Sequence, residues 1–316
     1  MEQSKIFRSP SAQIGPLTET ETTLLLRDGT SIYARAWTPA QPRLAVICVQ
    51  GLGGHGGYYR PLAEDLAPAG IAVVAPDLQG HGRSDGVRGD IRSFARYLED
   101  VDVAVQWART SFPHLPLILL GESMGASIAI RYLASARQFA HTAQVAGLAL
   151  LSPVLRAVVH PRPGEVTRFL RSSLTPTRPA MLVTGREELG CRDEAFNDQL
   201  RGDPLFVRKV SVRFLSILNS WLGQARRSAG QIKLPLLVMQ GDCDYIAHPK
   251  GTSAFLRRVA TREQNVITFP GVYHCLLHDP ETPAVITALL AWLEGFMEGQ
   301  REHSSALDAL EQVSAD

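Results

Sequence analysis

Six short, nearly continuous apolar runs alternate with segments of helical spacing, and this alternation constrains the fold more than any other feature. The apolar runs lie at 43–50, 71–76, 116–120, 146–152, 235–240 and 265–270. The helical segments lie at 60–69, 91–111, 124–137, 248–260 and 280–297. Strands that are apolar throughout are buried on both faces, as in parallel sheets covered by helices. The pattern therefore predicts an α/β fold with a mostly parallel, doubly wound sheet.

A hairpin precedes this pattern and an irregular segment interrupts it. Residues 22–26 and 31–37 flank an Asp-Gly turn, which predicts an antiparallel β-hairpin. Residues 154–232 show no strong strand but contain several prolines and an amphipathic run at 205–222, which indicates an inserted helical cap. The predicted organisation is an α/β core of 1–153 and 233–298, a cap of 154–232 and a C-terminal tail of 299–316.

The net charge and its distribution along the chain limit the classes of partner that we expect the protein to bind. The 316 residues carry a formal net charge of +1, so no overall field favours nucleic acid, and we expect no nucleic-acid partner. The predicted cap holds 13 Lys and Arg against 7 Asp and Glu, a local excess of +6. Such an excess is typical of a solvated arginine-rich face. The alternative is attraction to an anionic substrate, or transient contact of the cap with a membrane or micelle.

Targeting and metal-binding signals are sparse in this chain. The first residues lack the apolar stretch of a signal peptide, and no apolar run reaches the roughly 18 residues that a membrane span needs. The four cysteines show no metal-ligand spacing, and a chain of this length needs no disulfide framework. We therefore expect a cytoplasmic protein without a metal site.

The run at 116–120 leads directly into GESMG at 121–125, a G-x-S-x-G motif between a predicted strand and a predicted helix. This turn holds its serine in strained backbone angles and lifts the hydroxyl above the sheet edge. Glycine is needed at the first and last positions because side chains there would collide with neighbouring elements. A free serine is a poor nucleophile, so the motif predicts Ser123 as a nucleophile with a base within hydrogen-bond reach.

The partners of such a serine follow it in the order acid, then base, on loops after late strands. The loop after 235–240 contains Asp242 and Asp244, and either is a candidate acid. The loop after 265–270 contains His274, which is the predicted base. In this arrangement the imidazole takes the serine proton, and the carboxylate fixes the tautomer of the imidazole.

The loop after 43–50 allows two interpretations. An anion that develops on an attacked carbonyl needs backbone N–H donors, and this loop would supply one from Leu52 beside a second from Met124. The same loop spells G-x-G-x-x-G at 51–56, and Asp77 ends the next predicted strand, which nearly matches a dinucleotide-binding fingerprint. We favour the first interpretation, because the second leaves the G-x-S-x-G motif and the two late loops without a role.

Together these motifs resemble the monoacylglycerol lipase/lysophospholipase branch of the α/β-hydrolases, the serine aminopeptidase S33-type family. The resemblance spans roughly residues 22–297, and its D-x-x-G-H-G-x-S-x-G block is specific to this group and its near relatives. The matching blocks are QGLGGHGGYY at 50–59, DLQGHGRSDG at 77–86, GESMG at 121–125, DPL at 203–205, GDCD at 241–244 and YHCLLHD at 273–279.

The resemblance implies a set of site residues and an activity. It implies Ser123 as nucleophile, His274 as base and Asp244 as acid, since the family motif G-x-x-D has its aspartate at the fourth position. It implies Leu52 and Met124 as the oxyanion amides. The implied activity is hydrolysis of small-molecule carboxylic esters with lipid-like acyl chains, through an acyl-enzyme and without a cofactor, beneath an α/β-hydrolase cap that forms an apolar acyl channel.

The chain also departs from the family. Gln50 stands where a histidine usually precedes the loop glycine, so the hydrogen bonding behind that loop must differ. A thioesterase, an amidase or an acyltransferase with the same triad stays an alternative, as does a catalytically silent binding protein on this scaffold. Apolar cap residues that are candidates for the acyl site are Phe169, Leu170, Leu174, Phe206, Phe214, Leu215 and Leu218.

Overall fold

The computed structural model describes residues 16–158, 164–182 and 187–315. Within these ranges the strands are β1 (Thr18–Leu25), β2 (Ser31–Thr38), β3 (Leu44–Val49), β4 (Ile71–Pro76), β5 (Leu117–Glu122), β6 (Val145–Leu151), β7 (Met181–Leu182), β8 (Lys209–Val210), β9 (Leu236–Gly241) and β10 (Gln264–Phe269). The helices are α1 (Arg60–Leu66), α2 (Ala95–Ser111), α3 (Met124–Leu133), α4 (Glu165–Ser172), α5 (Glu187–Gly190), α6 (Glu194–Gly202), α7 (Val212–Arg227), α8 (Pro249–Leu256) and α9 (Thr282–Ala315).

Eight strands form one sheet in the order β1-β2-β4-β3-β5-β6-β9-β10. β2 pairs antiparallel with both β1 and β4, and the remaining neighbours are parallel. Each of the six predicted apolar runs forms a strand with ends within two residues of the prediction. The predicted hairpin is β1–β2, and Gly29 has φ 86° in its turn, where a residue without a Cβ is favoured. The predicted mostly parallel, doubly wound sheet is confirmed.

The sheet lies between two apolar cores, and β3 shows why its sequence is apolar throughout. All six residues of β3 are buried. Alternate side chains of a strand point to opposite faces, so Ile47 and Val49 pack on the side of α2 and α3, whereas Val46 and Cys48 pack on the side of α1 and α9. A polar residue at either set of positions would enter a dry core.

The segment between β6 and β9 contains α4, α5, α6, α7 and the small antiparallel sheet β7–β8. The sequence did not predict that sheet, because strands of two residues carry no readable period. The predicted amphipathic run at 205–222 becomes a helix only from Val212, since the Ser211 hydroxyl accepts a hydrogen bond from the Phe214 amide and caps the helix. Phe214 and Trp221 pack with Phe94 in the main core. That 154–232 acts as a separate cap stays a prediction.

The last helix is longer than predicted. α9 continues to Ala315, through the residues predicted as a polar tail. Among the described residues, no helix combines the length and the apolar character that crossing a bilayer requires.

Candidate active site

Ser123 lies between β5 and α3 with φ 55° and ψ −117°, an unusual conformation for a residue with a side chain. Its amide donates to the Leu151 carbonyl at 2.9 Å, so the neighbouring strand β6 holds the turn. A Cβ at Gly121 would lie 2.6 Å from the Ala126 Cα, and a Cβ at Gly125 would lie 2.0 Å from the Val49 carbonyl oxygen. Both glycines are therefore required by close packing.

Three side chains from distant loops form one line of hydrogen bonds. The His274 Nε2 lies 2.7 Å from the Ser123 Oγ, and the His274 Nδ1 lies 2.7 Å from the Asp244 Oδ2. The side chains of His274 and Asp244 are only 7% and 6% exposed. With the hydroxyl donating to Nε2 and Nδ1–H donating to the carboxylate, this line can move a proton away from Ser123.

The two aspartates of the acid loop have different partners. The Asp244 Oδ1 accepts hydrogen bonds from the Ile246 and Ala247 amides, both at 2.8 Å, and this holds its Oδ2 toward His274. The Asp242 Oδ1 instead accepts from the Gly271 amide at 2.6 Å and ties the loops after β9 and β10 together. The structure brings Asp244, and not Asp242, to the histidine.

The loop after β3 lies directly beside Ser123. A Cβ at Gly51 would lie 3.0 Å from the Ser123 Cβ. Leu52 and Ser123 line the same cavity, and Met124 is the first residue of α3, where helix amides have no partner within the helix. The loop with Leu52 and the first residue of α3, Met124, therefore lie next to Ser123, and that their amides form an oxyanion hole stays a prediction.

Polar side chains hold this loop from behind. The Gln50 Nε2 donates to the Gly54 carbonyl at 2.7 Å, so the side chain at the departing position braces the loop. The fully buried Asp77 accepts hydrogen bonds from the Gly56 amide at 2.6 Å and the Arg83 amide at 2.8 Å. A dinucleotide site needs a free acidic side chain here, so the second interpretation of the loop finds no support. The aspartate that opens the DLQGHG block at 77–82 was the sequence signal that could have indicated this supporting role.

The inserted segment contacts the same loop through Asp203. The Asp203 Oδ2 accepts from the His55 Nε2 at 2.8 Å and from the Tyr58 hydroxyl at 2.5 Å. The His55 Nδ1 accepts from the Gly57 amide, so the His55 proton is on Nε2. Burial, followed by the Asp203 carboxylate, raises the pKa of Tyr58 far above its ordinary value. The DPL block thus anchors the segment to the loop, a role that the sequence did not indicate.

A cavity of about 230 Å³ opens above Ser123. Its lining residues are Gln50, Gly51, Leu52, Gly54, His55, Tyr58, Tyr59, Glu122, Ser123, Gly190, Phe196, Leu200, Phe206, Ile246, His274, Cys275 and His278. Of the seven apolar candidates from the cap, only Phe206 is among them.

The other six candidates do not line the cavity, because sequence spacing does not show which way a helix of the inserted segment faces. Phe169, Leu170 and Leu174 are exposed on or just after α4, while Phe214 is buried in the main core. Leu215 and Leu218 pack against that core as partly buried side chains. The cavity wall instead uses Phe196 and Leu200 of α6, whose spacing of four residues places them on one helix face.

Burial alters the titration of groups around the cavity. It lowers the pKa of His278 to about 4, and this neutral ring stacks on Phe196 with centroids 3.8 Å apart. Burial also raises the pKa of the Cys275 thiol, so it is uncharged. Burial raises the pKa of Glu122, although the Tyr59 hydroxyl and His274 act in the opposite direction. Within 16–158, 164–182 and 187–299, no three His, Cys, Asp or Glu side chains converge as metal ligands would.

Comparison with known proteins agrees with this geometry. The family model of the serine aminopeptidases S33 matches residues 40–281, which is most of the chain. A monoacylglycerol lipase of Mycolicibacterium smegmatis is 29% identical over 268 residues, 84% of this chain and 93% of the relative. Phospholipase YtpA of Bacillus subtilis is 29% identical over 264 residues, 83% of this chain and 99% of the relative.

A solved structure gives the same result for the fold. The crystal structure of Paleococcus ferrophilus monoacylglycerol lipase aligns with a TM-score of 0.71 and 25% identity, over 84% of this chain and 99% of that one. These matches confirm the predicted fold and the prediction of an enzyme that hydrolyses carboxylic esters. The chain belongs to the serine aminopeptidase S33 family, in the monoacylglycerol lipase-like branch of the α/β-hydrolases.

Proposed function

We propose that this chain hydrolyses small esters of lipid-like acyl groups, such as monoacylglycerols or lysophospholipids, with Ser123 as nucleophile, His274 as base and Asp244 as acid. The observation that carries this proposal is the continuous hydrogen-bonded line of these three side chains at the base of a mostly apolar cavity. Relatives named as a monoacylglycerol lipase and a phospholipase support the substrate class.

The first half of the reaction forms an acyl-enzyme. As the Ser123 Oγ attacks the ester carbonyl carbon, its proton passes to the His274 Nε2, and the carbonyl oxygen becomes an anion. The Leu52 and Met124 amides donate hydrogen bonds to that anion. When the carbon–oxygen bond to the alcohol breaks, His274 returns the proton to the leaving alkoxide, and the alcohol departs.

The second half releases the acid by the same route. His274 takes a proton from water as the water attacks the acyl carbonyl, and then gives that proton to the Ser123 oxygen as the acyl group leaves. Asp244 accepts from Nδ1–H throughout, which keeps the ring in the productive tautomer and stabilises the imidazolium. The nucleophile, the base and the oxyanion donors all belong to the chain itself.

The apolar wall predicts how the rate depends on the acyl chain. Each buried methylene contributes about 0.8 kcal/mol, or roughly fourfold in kcat/KM. The cavity has a limited volume of about 230 Å³, so the gain should end once the acyl chain fills it. For p-nitrophenyl esters we therefore expect kcat/KM to rise from acetyl through chains of medium length and then to level off.

Two phenylalanine variants test whether the cavity wall causes the dependence of kcat/KM on acyl chain length. Phe196→Ala removes part of the cavity wall and should flatten the dependence on chain length, whereas Phe169→Ala, on the exposed face of α4, should leave it unchanged. Assays with monoacylglycerol and lysophosphatidylcholine would identify the alcohol group. A rate that falls steadily from acetyl onward would contradict a lipid-like acyl substrate.

We further propose that α4 makes transient contact with an anionic lipid surface. Leu170 and Leu174 are 63% and 86% exposed, and Phe169 is 37% exposed beside them. Arg168 and Arg171 are exposed on the same short helix. Apolar side chains beside arginines match the acyl boundary and the anionic headgroups of such a surface.

Vesicle binding tests this contact. Leu170→Asp should weaken binding to vesicles of phosphatidylglycerol and phosphatidylcholine by about tenfold, because one buried leucine contributes about 1.5–3 kcal/mol. Leu25→Asp is the matched control, since Leu25 is 70% exposed at the far edge of the sheet. Cosedimentation would measure both variants. Equal binding of the wild type and Leu170→Asp would exclude α4 as the contact.

A further inference from the structure

One wall of the cavity carries polar side chains that the reaction does not use. We call Gln50, Tyr59 and Glu122 the acceptor wall; all three line the cavity above Ser123. Val49 and Gly121 lie opposite each other in the parallel strands β3 and β5. Gln50 follows Val49 in the chain, and Glu122 follows Gly121. The side chains of Gln50 and Glu122 are therefore neighbours on one face of the sheet. Gln50 and Glu122 are therefore held at the carboxyl end of the sheet, and Tyr59 comes from the helical turn before α1.

The Gln50 amide nitrogen and the Tyr59 hydroxyl each donate a hydrogen bond within the protein. The Gln50 Nε2 donates to the Gly54 carbonyl at 2.7 Å, and the Tyr59 hydroxyl donates to the Glu122 Oε2 at 2.9 Å. Only the amide nitrogen of glutamine can donate to a carbonyl, so this bond also fixes which Gln50 atom is the oxygen.

Two oxygen atoms of the acceptor wall have no hydrogen-bond partner among the described residues. The Gln50 Oε1 is buried without a partner among the described residues. The only hydrogen bond to the Glu122 carboxylate in the described part of the chain is the one from Tyr59 to Oε2, which leaves Oε1 open. A buried acceptor without a partner, such as the Gln50 Oε1, costs about 1–3 kcal/mol. Glu122 is only partly buried and lines the cavity, so its Oε1 is accessible to a donor that enters.

We propose that the acceptor wall is a subsite for a hydroxyl group of the substrate, with the Glu122 Oε1 accepting the hydrogen bond. This subsite rests on the proposed ester hydrolysis. Glu122 directly precedes Ser123 in the chain, so the hydroxyl would lie close to the ester carbonyl. A carboxylate of the substrate would be repelled by these oxygens. An ammonium group would need to lose its water in an otherwise apolar cavity, which costs far more than for a hydroxyl.

The hydroxyl can belong to either part of the ester, and two pairs of substrates separate the two sources. The first pair is a monoacylglycerol and the propyl ester of the same acid, which differ in the hydroxyls of the alcohol. The second pair is the methyl ester of a 3-hydroxy fatty acid and that of the plain acid, which differ in a hydroxyl of the acyl chain. In each pair, the preference is the ratio of the two kcat/KM values.

Glu122→Gln is the decisive variant. Its carbonyl oxygen can still accept from Tyr59, but its second position becomes an N–H₂ donor, so a hydroxyl loses its acceptor. The preference should fall about tenfold in one pair, as expected for a lost hydrogen bond to a charged group. Intrinsic ester reactivity cancels when the preference is compared between variants. Glu64→Gln, the same change on the exposed side of α1, is the control and should keep the wild-type preference.

The outcomes distinguish the subsite from the proposed function. A fall in the first pair places the leaving alcohol at Glu122, and a fall in the second pair places the acyl chain there. An unchanged preference in both pairs would overturn the subsite while leaving ester hydrolysis intact. If Glu122→Gln does not fold, wild-type preferences near one in both pairs would overturn it equally. Hydrolysis of none of the four esters would remove the proposed function and the subsite together.

Discussion

Ser123→Ala should lower kcat/KM for ester hydrolysis by about 10⁴-fold or more, since it removes the atom that attacks the carbonyl. His274→Ala should cause a loss of the same size, because without the Nε2 acceptor at 2.7 Å the hydroxyl stays a weak nucleophile. The double variant should be no worse than either single one, since residues that act as a unit are not additive. Steady-state rates with a p-nitrophenyl ester measure all three enzymes.

A fluorophosphonate probe tests whether Ser123 itself carries the reactive hydroxyl. The wild type should be labelled at Ser123, and Ser123→Ala should not be labelled. Ser135→Ala is a matched control at the end of α3, where the hydroxyl bonds the Arg131 carbonyl and lies outside the cavity lining. That variant should be labelled and active like the wild type. Labelling of Ser123→Ala, or turnover that survives its loss, would show that another residue is the nucleophile.

Asp244→Asn should lower kcat by about 10⁴-fold, while Asp242→Asn should cost at most a few-fold. An asparagine at 244 can turn its amide group toward the Nδ1 of His274, and the ring then holds the tautomer whose Nε2 cannot accept the serine proton. Asp242 has no contact with the imidazole; it accepts from the Gly271 amide. The two variants make the same chemical change on one loop, so each controls for the other. A larger loss in Asp242→Asn would mean that the acid is assigned to the wrong carboxylate.

The sequence predicted the sheet well because the relevant signals are local. A strand such as β4 is buried on both faces and must be apolar at every position, so the run at 71–76 could be recognised without knowing its neighbours. The turn at Ser123 is equally local, since its glycines, its strand and its helix are contiguous. The carboxyl ends of parallel strands share one edge of the sheet, and this rule indicated that the loops with Ser123 and His274 would meet.

The substrate cavity was predicted poorly for a related reason. Phe169 and Phe196 both lie on helices of the inserted segment and look alike in sequence, yet one is exposed on α4 and the other lines the cavity from α6. Which face of a helix meets the site depends on how the helix packs against the sheet. That packing is not encoded in the spacing of a single segment.

By itself, the sequence determined the parallel sheet, the strained serine turn and the two loops that carry the candidate base and acid. The loop residues alone left Asp242 and Asp244 open, the family resemblance favoured Asp244, and the tertiary structure shows Asp244 at His274. Only the tertiary structure decided that Gln50, Tyr59 and Glu122 form an acceptor wall beside Ser123. The physical reason is the separation along the chain of the residues that interact. A strand or a turn is set by neighbours in the chain, whereas a hydrogen bond between distant loops needs an orientation that the packing of the whole domain fixes to within a few tenths of an ångström.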